Sequence, residues 1–541
     1  MKNLKNLLSP IFVLIITALL IASCSSKPEQ LSMIPDDAFA VVSFDVKSIL
    51  LKSELDKSDN PLRKLLKEIA GEENAPAVIK EILNDPSESP ISLKDEMFLF
   101  VTQSYVGFTA KINDEKKMKK LFQETDVDVY SEKSYNTAEL DPSTVCVWDK
   151  EKFLFISSLD YYNRDKIEEY AQSLFTAKKN KSILSNPGFS DFYGKRKDVS
   201  AWFCFDNIAR SDKKEISSEL GFDLSELEVG LFLSFDKGQA SLKLDLLKAN
   251  EDFNKKIKDF NYGNDKISGN LFKYLPEQSI IAIVTSLNGE KLYDMISGMG
   301  NRDFESIERE MKSENIDIKN LFSSFKGDII FSLYDVTNRP VTRIRYDHYS
   351  QENIEVTEYE PTPAFTVLAE TKDDYAVKTI IEKMKEEMGE SITQIESGIY
   401  SVNIEDMKIV FGTAGKYIFF TTDESNIKNI KNGYSKSLAD SNLKKEISGK
   451  LTYAYMDLNL DNYPEAARKM IDDMMGGEYN QSEAQLIKSI SSNYLKSVNF
   501  SASSETSAEL VWKFADDKEN SAKILIGLIT DVINDVINRF M

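Results

Sequence analysis

Ile34-Pro35-Asp36 leads into the apolar run Phe39-Ala40-Val41-Val42, and 241 residues later Leu275-Pro276-Glu277 leads into Ile280-Ile281-Ala282-Ile283. Four further pairs follow in the same order. Asp95-Glu96-Met97-Phe98 matches Asp328-Ile329-Ile330-Phe331 (offset 233), and Gly107-Phe108-Thr109 matches Ala364-Phe365-Thr366 (offset 257). Lys152-Phe153-Leu154-Phe155-Ile156 then matches Lys416-Tyr417-Ile418-Phe419-Phe420 (offset 264), and Trp202-Phe203-Cys204-Phe205-Asp206 matches Tyr453-Ala454-Tyr455-Met456-Asp457 (offset 251). Five weak but collinear similarities indicate an internal repeat, which sets the architecture before any single element does. The expected copies span 31–255 and 270–541, joined by a polar linker at 256–269.

Within a copy, periodicity sets the element types. Ala508, Leu510, Trp512 and Phe514 alternate with Glu509, Val511 and Lys513, and Leu242, Leu244 and Leu246 alternate with Lys243 and Asp245. Such a period of two predicts an antiparallel sheet with a polar face toward water and an apolar face toward a core. Met97–Val101 and Ala201–Phe205 are apolar throughout and read as central strands. Helical spacing is predicted over Ile49–Ile69, Ala77–Leu83, Glu115–Phe122, Asp165–Phe175, Glu290–Ile296, Tyr375–Met388 and Glu465–Met474. A last helix carrying Ile524, Leu525, Leu528, Ile529, Val532, Val536, Ile537 and Phe540 is expected to dock on the second copy. Short gaps such as Asp149-Lys150-Glu151 and interspersed helices favour an α+β fold: a tandem duplication of a domain with a mostly antiparallel sheet and helices packed on one face.

The offset jump from 233 to 257 inserts a net 24 residues into the second copy, at about 336–363. Val341–Tyr346 and Asn353–Tyr359 both alternate, so the insertion reads as a long hairpin in which Arg343 and Arg345 face Glu355. Arg343, Arg345, Tyr346, His348, Tyr349 and Tyr359 form its candidate partner contact, because Tyr and Arg are enriched in binding hot spots.

At the other end, residues 1–23 read as a lipoprotein signal peptide. Lys2 and Lys5 precede the apolar stretch Ile11–Leu20, which is shorter than the ~20 residues of a spanning helix. Ile21-Ala22-Ser23-Cys24 resembles a lipobox, which makes Cys24 the lipidation site and 24–30 a lipidated tether. Two or more acyl chains hold a protein stably on a membrane.

Composition narrows the function. The 541 residues include 67 Lys and Arg against 88 Asp and Glu, a net charge of −21, which disfavours nucleic acid as a partner. One histidine, His348, excludes most His-dependent triads and His-rich metal sites. Asp45, Asp206 and Asp457 each end an apolar strand, as helix caps do. Asp457–Asp461 begins like a calcium loop, but Asn462 and Arg468 occupy the positions that need Gly and Glu. Acidic pairs such as Asp126/Asp128, the helical acids around Glu308 and Glu386, and the Ser-x-x-Lys occurrences at Ser211 and Ser441 are expected from composition alone. No cofactor, metal or catalytic residue is called. Cys146 and Cys204, left after Cys24 is lipidated, are a candidate disulfide of an oxidising compartment.

The lipobox at Cys24, the start Ile34-Pro35-Asp36-Asp37-Ala38 with Val41-Val42-Ser43-Phe44-Asp45, and the second start at Leu275 resemble an uncharacterised Bacteroidetes-type lipoprotein family with a duplicated domain of unknown function (family 4836). The resemblance implies an exported, duplicated lipoprotein and carries no active-site residue. Surface-directed lipoproteins of that group often bear an acidic run after the acylated Cys. Ser25-Ser26-Lys27-Pro28-Glu29-Gln30 lacks one, so a periplasm-facing outer-membrane location is favoured over the cell surface. The expected function is a non-enzymatic binding or interaction module of the cell envelope, held to the membrane through Cys24 and contacting another envelope protein or a glycan or peptide ligand. Two alternatives stand beside it. One is an extracytoplasmic hydrolase acting on glycan or peptide through carboxylates; the other is solute capture in an apolar pocket where the two copies meet.

Overall fold

The computed structural model describes residues 27–72, 77–132, 134–159, 166–220, 223–260, 266–298, 302–347, 349, 351–404, 407–475 and 481–540. Cys24 with its lipobox, and His348, lie outside the described residues. The chain divides into two compact units, Met1–Ser48 with Leu66–Arg210, and Ile49–Leu65 with Ser211–Met541.

The first unit carries β1 (Ala40–Phe44), β2 (Met97–Val101), β3 (Tyr105–Lys111), β4 (Val129–Ser131), β5 (Asn136–Asp141), β6 (Thr144–Trp148), β7 (Lys152–Ser158) and β8 (Val199–Cys204). They pair in the order β4-β5-β6-β7-β3-β2-β1-β8, antiparallel at every step. β2 is central, and Phe98 and Phe100 are fully buried. Ile112, Met118, Phe122, Cys146, Trp148 and Phe153 make one core cluster, with the Phe122 and Trp148 rings stacked 5.0 Å apart.

The second unit carries β9 (Glu228–Asp236), β10 (Gln239–Lys248), β11 (Ile281–Asn288), β12 (Phe325–Asp347), β13 (Glu352–Thr371), β14 (Ile392–Glu396), β15 (Ile399–Ile404), β16 (Met407–Ala414), β17 (Tyr417–Thr421), β18 (Thr452–Asp457), β19 (Leu495–Ser504) and β20 (Ser507–Phe514). Their order is β14-β15-β16-β17-β13-β12-β11-β18-β19-β20-β10-β9, again all antiparallel. From β14 to β18 this repeats, strand for strand, the order from β4 to β8. The fold is α+β with antiparallel sheets.

Three expectations need correction. Helical elements do not keep to one face of the sheet. Val377 and Ile381 of the helix Tyr375–Met388 cover Ala369 and Ile418, while Ile427, Ile430 and Ile447 cover Leu368 and Phe419 from the opposite side. Strands β11–β13 and β17 are apolar on both faces, so both must be covered. The break between compact units falls at Arg210/Ser211 rather than at 256–269, because β10 pairs along its length with β20. Finally, the terminal helix Ser521–Phe540 packs against β9 and β10, on residues 228–248, and not only on the second copy.

Local sequence explains the smaller shifts. The long helix expected over Ile49–Ile69 is two helices, Val46–Ser53 and Pro61–Glu72. Pro61 cannot continue a helix but suits a first turn, and the Asn60 side chain caps that turn by accepting from the Arg63 N–H at 3.2 Å. The Glu251–Phe260 segment of the expected linker region is a helix, fixed at its start by Asn250, whose Oδ1 accepts from the Phe253 N–H at 2.7 Å.

Candidate functional site

Five strands of the second unit line up one row of side chains, small on four of them. Thr285 on β11 stands opposite Thr452 on β18, Thr452 opposite Ala502 on β19, Ala502 opposite Ala508 on β20, and Ala508 opposite Leu244 on β10. Directly opposite residues of antiparallel strands share a face, so the row is the floor of a trough across the sheet. Four interstrand spacings of ~4.8 Å make it about 19 Å long. Thr and Ala leave room above that floor which larger side chains would fill.

Walls rise at the β9–β10 end. Leu227, Val229 and Leu246 lie beside the row, and Phe253 and Ile257 reach over from the helix Glu251–Phe260. Asn250 positions that helix, its Nδ2 donating to the Ser225 carbonyl at 2.6 Å and to the Asp223 carbonyl at 3.1 Å. The space between them is an open pocket of about 550 Å³, within the range of small-molecule pockets. Every residue lining it belongs to the second unit.

Beyond the cavity the same sheet face stays apolar and is only partly covered. The next row runs Ile283, Ala454, Phe500, Leu510 and Leu242. Leu244, Ile283, Met456 and Phe500 keep 42%, 45%, 40% and 40% of their surface exposed. The polar face reaches water at Lys243 as expected, but the apolar face is not fully covered. On the opposite face Lys513 pairs with Glu446 at 2.5 Å, and Asn499 and Tyr453 also donate to Glu446, at 3.0 and 2.9 Å. The polar face is thus tied down locally, and burial with the Glu446 charge pushes the Tyr453 hydroxyl far above the usual tyrosine range. A contiguous, partly exposed apolar patch marks an interaction site more often than scattered exposed residues do.

Polar groups at the trough are few and uncharged except for one. Thr285 and Thr452 hydroxyls bond to each other at 3.1 Å. The β19–β20 turn contributes Ser504, Glu505 and Thr506, with the Ser504 and Thr506 hydroxyls 3.2 Å apart, and Ser507 donates to Asp245 at 2.7 Å. No nucleophile–base pair lines the cavity. Among the described residues no cluster of three His, Cys, Asp or Glu could hold a metal ion. Asp328, nearly fully buried, is occupied by the Ser268 and Gly269 N–H groups and the Ser268 hydroxyl. Asp45 caps the helix Val46–Ser53 by accepting from the Ser48 N–H at 2.9 Å, and Asp457 closes a turn by accepting from the Asn459 N–H at 2.9 Å.

β12 and β13 continue past their neighbouring strands as a two-stranded ribbon. β12 and β13 pair from Val336↔Pro363 out to Asp347↔Glu352, where neither β11 nor β17 reaches. The register places Glu355 opposite Ile344, so Arg343 and Arg345 do not face it. Their partners are Glu358 and Glu360 on the other face, with Arg345–Glu358 at 2.6 Å and Arg343 hydrogen-bonded to Glu360. A one-residue difference in the pairing assumed from sequence flips each side chain to the opposite face. Ile344, Tyr346 and Tyr359 are exposed together on the Glu355 face, and Tyr349 is exposed at the tip. None of these residues touches the trough.

Cys146 and Cys204 are buried, and no disulfide joins them. Cys146 is on β6 and Cys204 on β8, five strand steps apart in the sheet. That is roughly 24 Å, far beyond the ~7 Å limit on the Cα separation of a disulfide.

The family model of a domain of unknown function (DUF4836) matches residues 31–521. No curated protein matches the chain. Among solved structures, crystal form I of TP0453 is similar at 13% identity, covering 43% of this chain and 84% of that one with a TM-score of 0.25. Crystal form III of TP0453 is similar at 13% identity over 45% and 90%, with a TM-score of 0.26. The match over 31–521 takes in most of the chain, and the chain belongs to the DUF4836 family.

Proposed function

We propose that this member of the family is a lipid-anchored cell-envelope protein acting as a non-enzymatic binding module, and that its ligand site is the trough floored by Thr285, Thr452, Ala502, Ala508 and Leu244. The observation that carries the reading is that row, small on four of its five strands, beneath an open pocket of about 550 Å³ and continuous with a partly exposed apolar face. Apolar lining with few convergent polar groups suits capture of an apolar solute. Anchoring through acylated Cys24, facing the periplasm from the outer membrane, belongs to the same proposal and rests on Lys2 to Cys24 of the sequence. Duplication is part of it too; the shared strand order of β4–β8 and β14–β18 supports that reading, and the trough then lies where the last hairpin of one copy, β9–β10, joins the last hairpin of the other, β19–β20.

Titration of an environment-sensitive apolar dye into the chain lacking its lipid, Ser25–Met541, tests the site. Saturable binding is expected, abolished by Ala502→Phe and by Ala508→Phe, each of which fills the floor while leaving the circular dichroism spectrum and melting temperature near those of the parent. Saturable binding that both variants retain would place the ligand elsewhere and remove the proposal.

A further inference from the structure

Resting on the reading of the trough as a ligand site, we infer that the helix Glu251–Phe260 is a lid hinged at Asn250, loosely seated while the pocket is empty and drawn down by the ligand through Phe253 and Ile257. Among the described lining residues these two alone belong to a helix; the others lie on strands or on the loops beside them. Floor residues are fixed by ladder pairing on both sides, as Ala502 is between Thr452 and Ala508. The helix has no such ladder. Ten residues of helix are marginal in water by themselves and depend on the packing of an apolar face.

The helix is held unevenly along its length. At its start the Asn250 side chain donates to the Ser225 and Asp223 carbonyls and accepts from the Phe253 N–H, and the Asn254 side chain donates to the Ala249 carbonyl at 3.0 Å. Phe253, beside this clamp, is buried. One turn further on Ile257 is only half-buried, and Asn254, Lys255 and Lys258 are exposed. Phe253 and Ile257 both face the pocket, so part of each borders open space where a filled site would supply atoms. Side chains that line a void forgo those dispersion contacts. An apolar ligand restores them when the helix is seated and not when it is lifted. That difference in contacts is what lets binding shift the helix toward closure.

The experiment is hydrogen–deuterium exchange of Ser25–Met541 with and without the apolar dye, read peptide by peptide. Without dye, amides of residues 254–258 should exchange at least ~10-fold faster than those of β10, as expected of a segment that opens locally. A ligand that binds only under the seated helix lowers its opening equilibrium about tenfold when present at ten times its Kd, and exchange of 254–258 should slow by that factor while the ribbon 337–362 is unchanged. Ile257→Ala should speed dye dissociation at least ~5-fold, since lost contacts act chiefly on the off-rate. Should that variant fail to fold, the exchange of the parent protein decides alone. A helix as protected as β10 before dye is added, or dye bound with exchange of 254–258 unchanged, makes the helix a fixed wall and overturns the lid while leaving the trough as a binding site. Failure of the dye to bind removes the reading on which the lid rests, and the lid with it.

Discussion

Leu242 and Leu510 stand directly opposite each other where β10 meets β20, flanked by the pairs Ala240↔Trp512 and Leu244↔Ala508. This apolar seam joins the hairpin β9–β10 to the hairpin β19–β20 within one sheet. A cut at the polar stretch 256–269 therefore separates strands that need each other. Removing β9 and β10 would leave β20 as an unprotected edge carrying Leu510 and Trp512, the kind of edge that templates aggregation. A chain of residues 270–541 should elute as aggregate on size exclusion, and 211–541 as a defined species. Equal behaviour of the two would show that the seam contributes little.

The turn between β9 and β10 rests on Gly238. Its φ is +66°, and a Cβ there would lie 2.6 Å from the Asp517 Cα. Gly238→Ala carries both a left-handed backbone penalty and a collision with main chain that cannot swing away, so it should destabilise by about 1–3 kcal/mol in denaturant unfolding. A midpoint unchanged from the parent would mean that the 517 segment does not pack on this turn.

Both remaining cysteines should be silent in the native protein. Burial pushes the Cys146 thiol from 9.0 up to about 12, so its reactive thiolate is scarce at pH 8. An aromatic-disulfide reagent should label neither Cys146 nor Cys204 before unfolding and both after it, and reductant should leave the melting temperature unchanged. Because the folded pKa is raised, the contribution of Cys146 to stability is complete below about pH 9 and is lost as pH rises toward about 12. The buried Tyr453 and Tyr455 hydroxyls, also pushed up by burial first, act in the same direction. Alkaline titration of the melting temperature should fall across that window; stability rising above pH 9 would contradict it.

The ribbon of β12 and β13 should be removable. Thr337 and Thr362 are register partners, so an Asn-Gly turn can close the ladder in place of residues 338–361. Its exposed ion pairs, including Arg345–Glu358, contribute at most ~1 kcal/mol each. Deletion should shift the melting temperature by less than about 4 °C and leave dye binding in the trough intact. A large loss of stability would make the ribbon a structural brace; loss of dye binding alone would make it part of the site.

Part of this architecture can be read from the sequence, because apolar runs mark the strands and their recurrence in the same order anticipates two ladders built alike. Ile34-Pro35-Asp36 and Leu275-Pro276-Glu277 each precede a strand, β1 and β11, that takes the same place in its ladder. The helix Tyr375–Met388 has the bounds its periodicity indicates. The trough is a different matter. Alternation in Leu242–Leu246 and Ala508–Phe514 shows that one face is apolar, but not that the face is left partly open or that Ala502 and Ala508 form a floor. Those facts depend on the pairing of Leu244 with Ala508 and of Thr285 with Thr452, residues far apart in the chain, which no local pattern encodes. The same limit misplaced Glu355, where one residue of register decided which face Arg343 shares.

The measurement that tests the central claim most directly is photo-crosslinking with a diazirine-bearing apolar probe, mapped by peptide mass spectrometry. The label should concentrate on peptides from β10 and the helix Glu251–Phe260, and on the β19–β20 turn around Ser504–Ala508, and should fall away in Ala508→Phe. Label gathered instead on the ribbon 337–362, or spread evenly over the exposed apolar residues of both units, would contradict a ligand site in the trough.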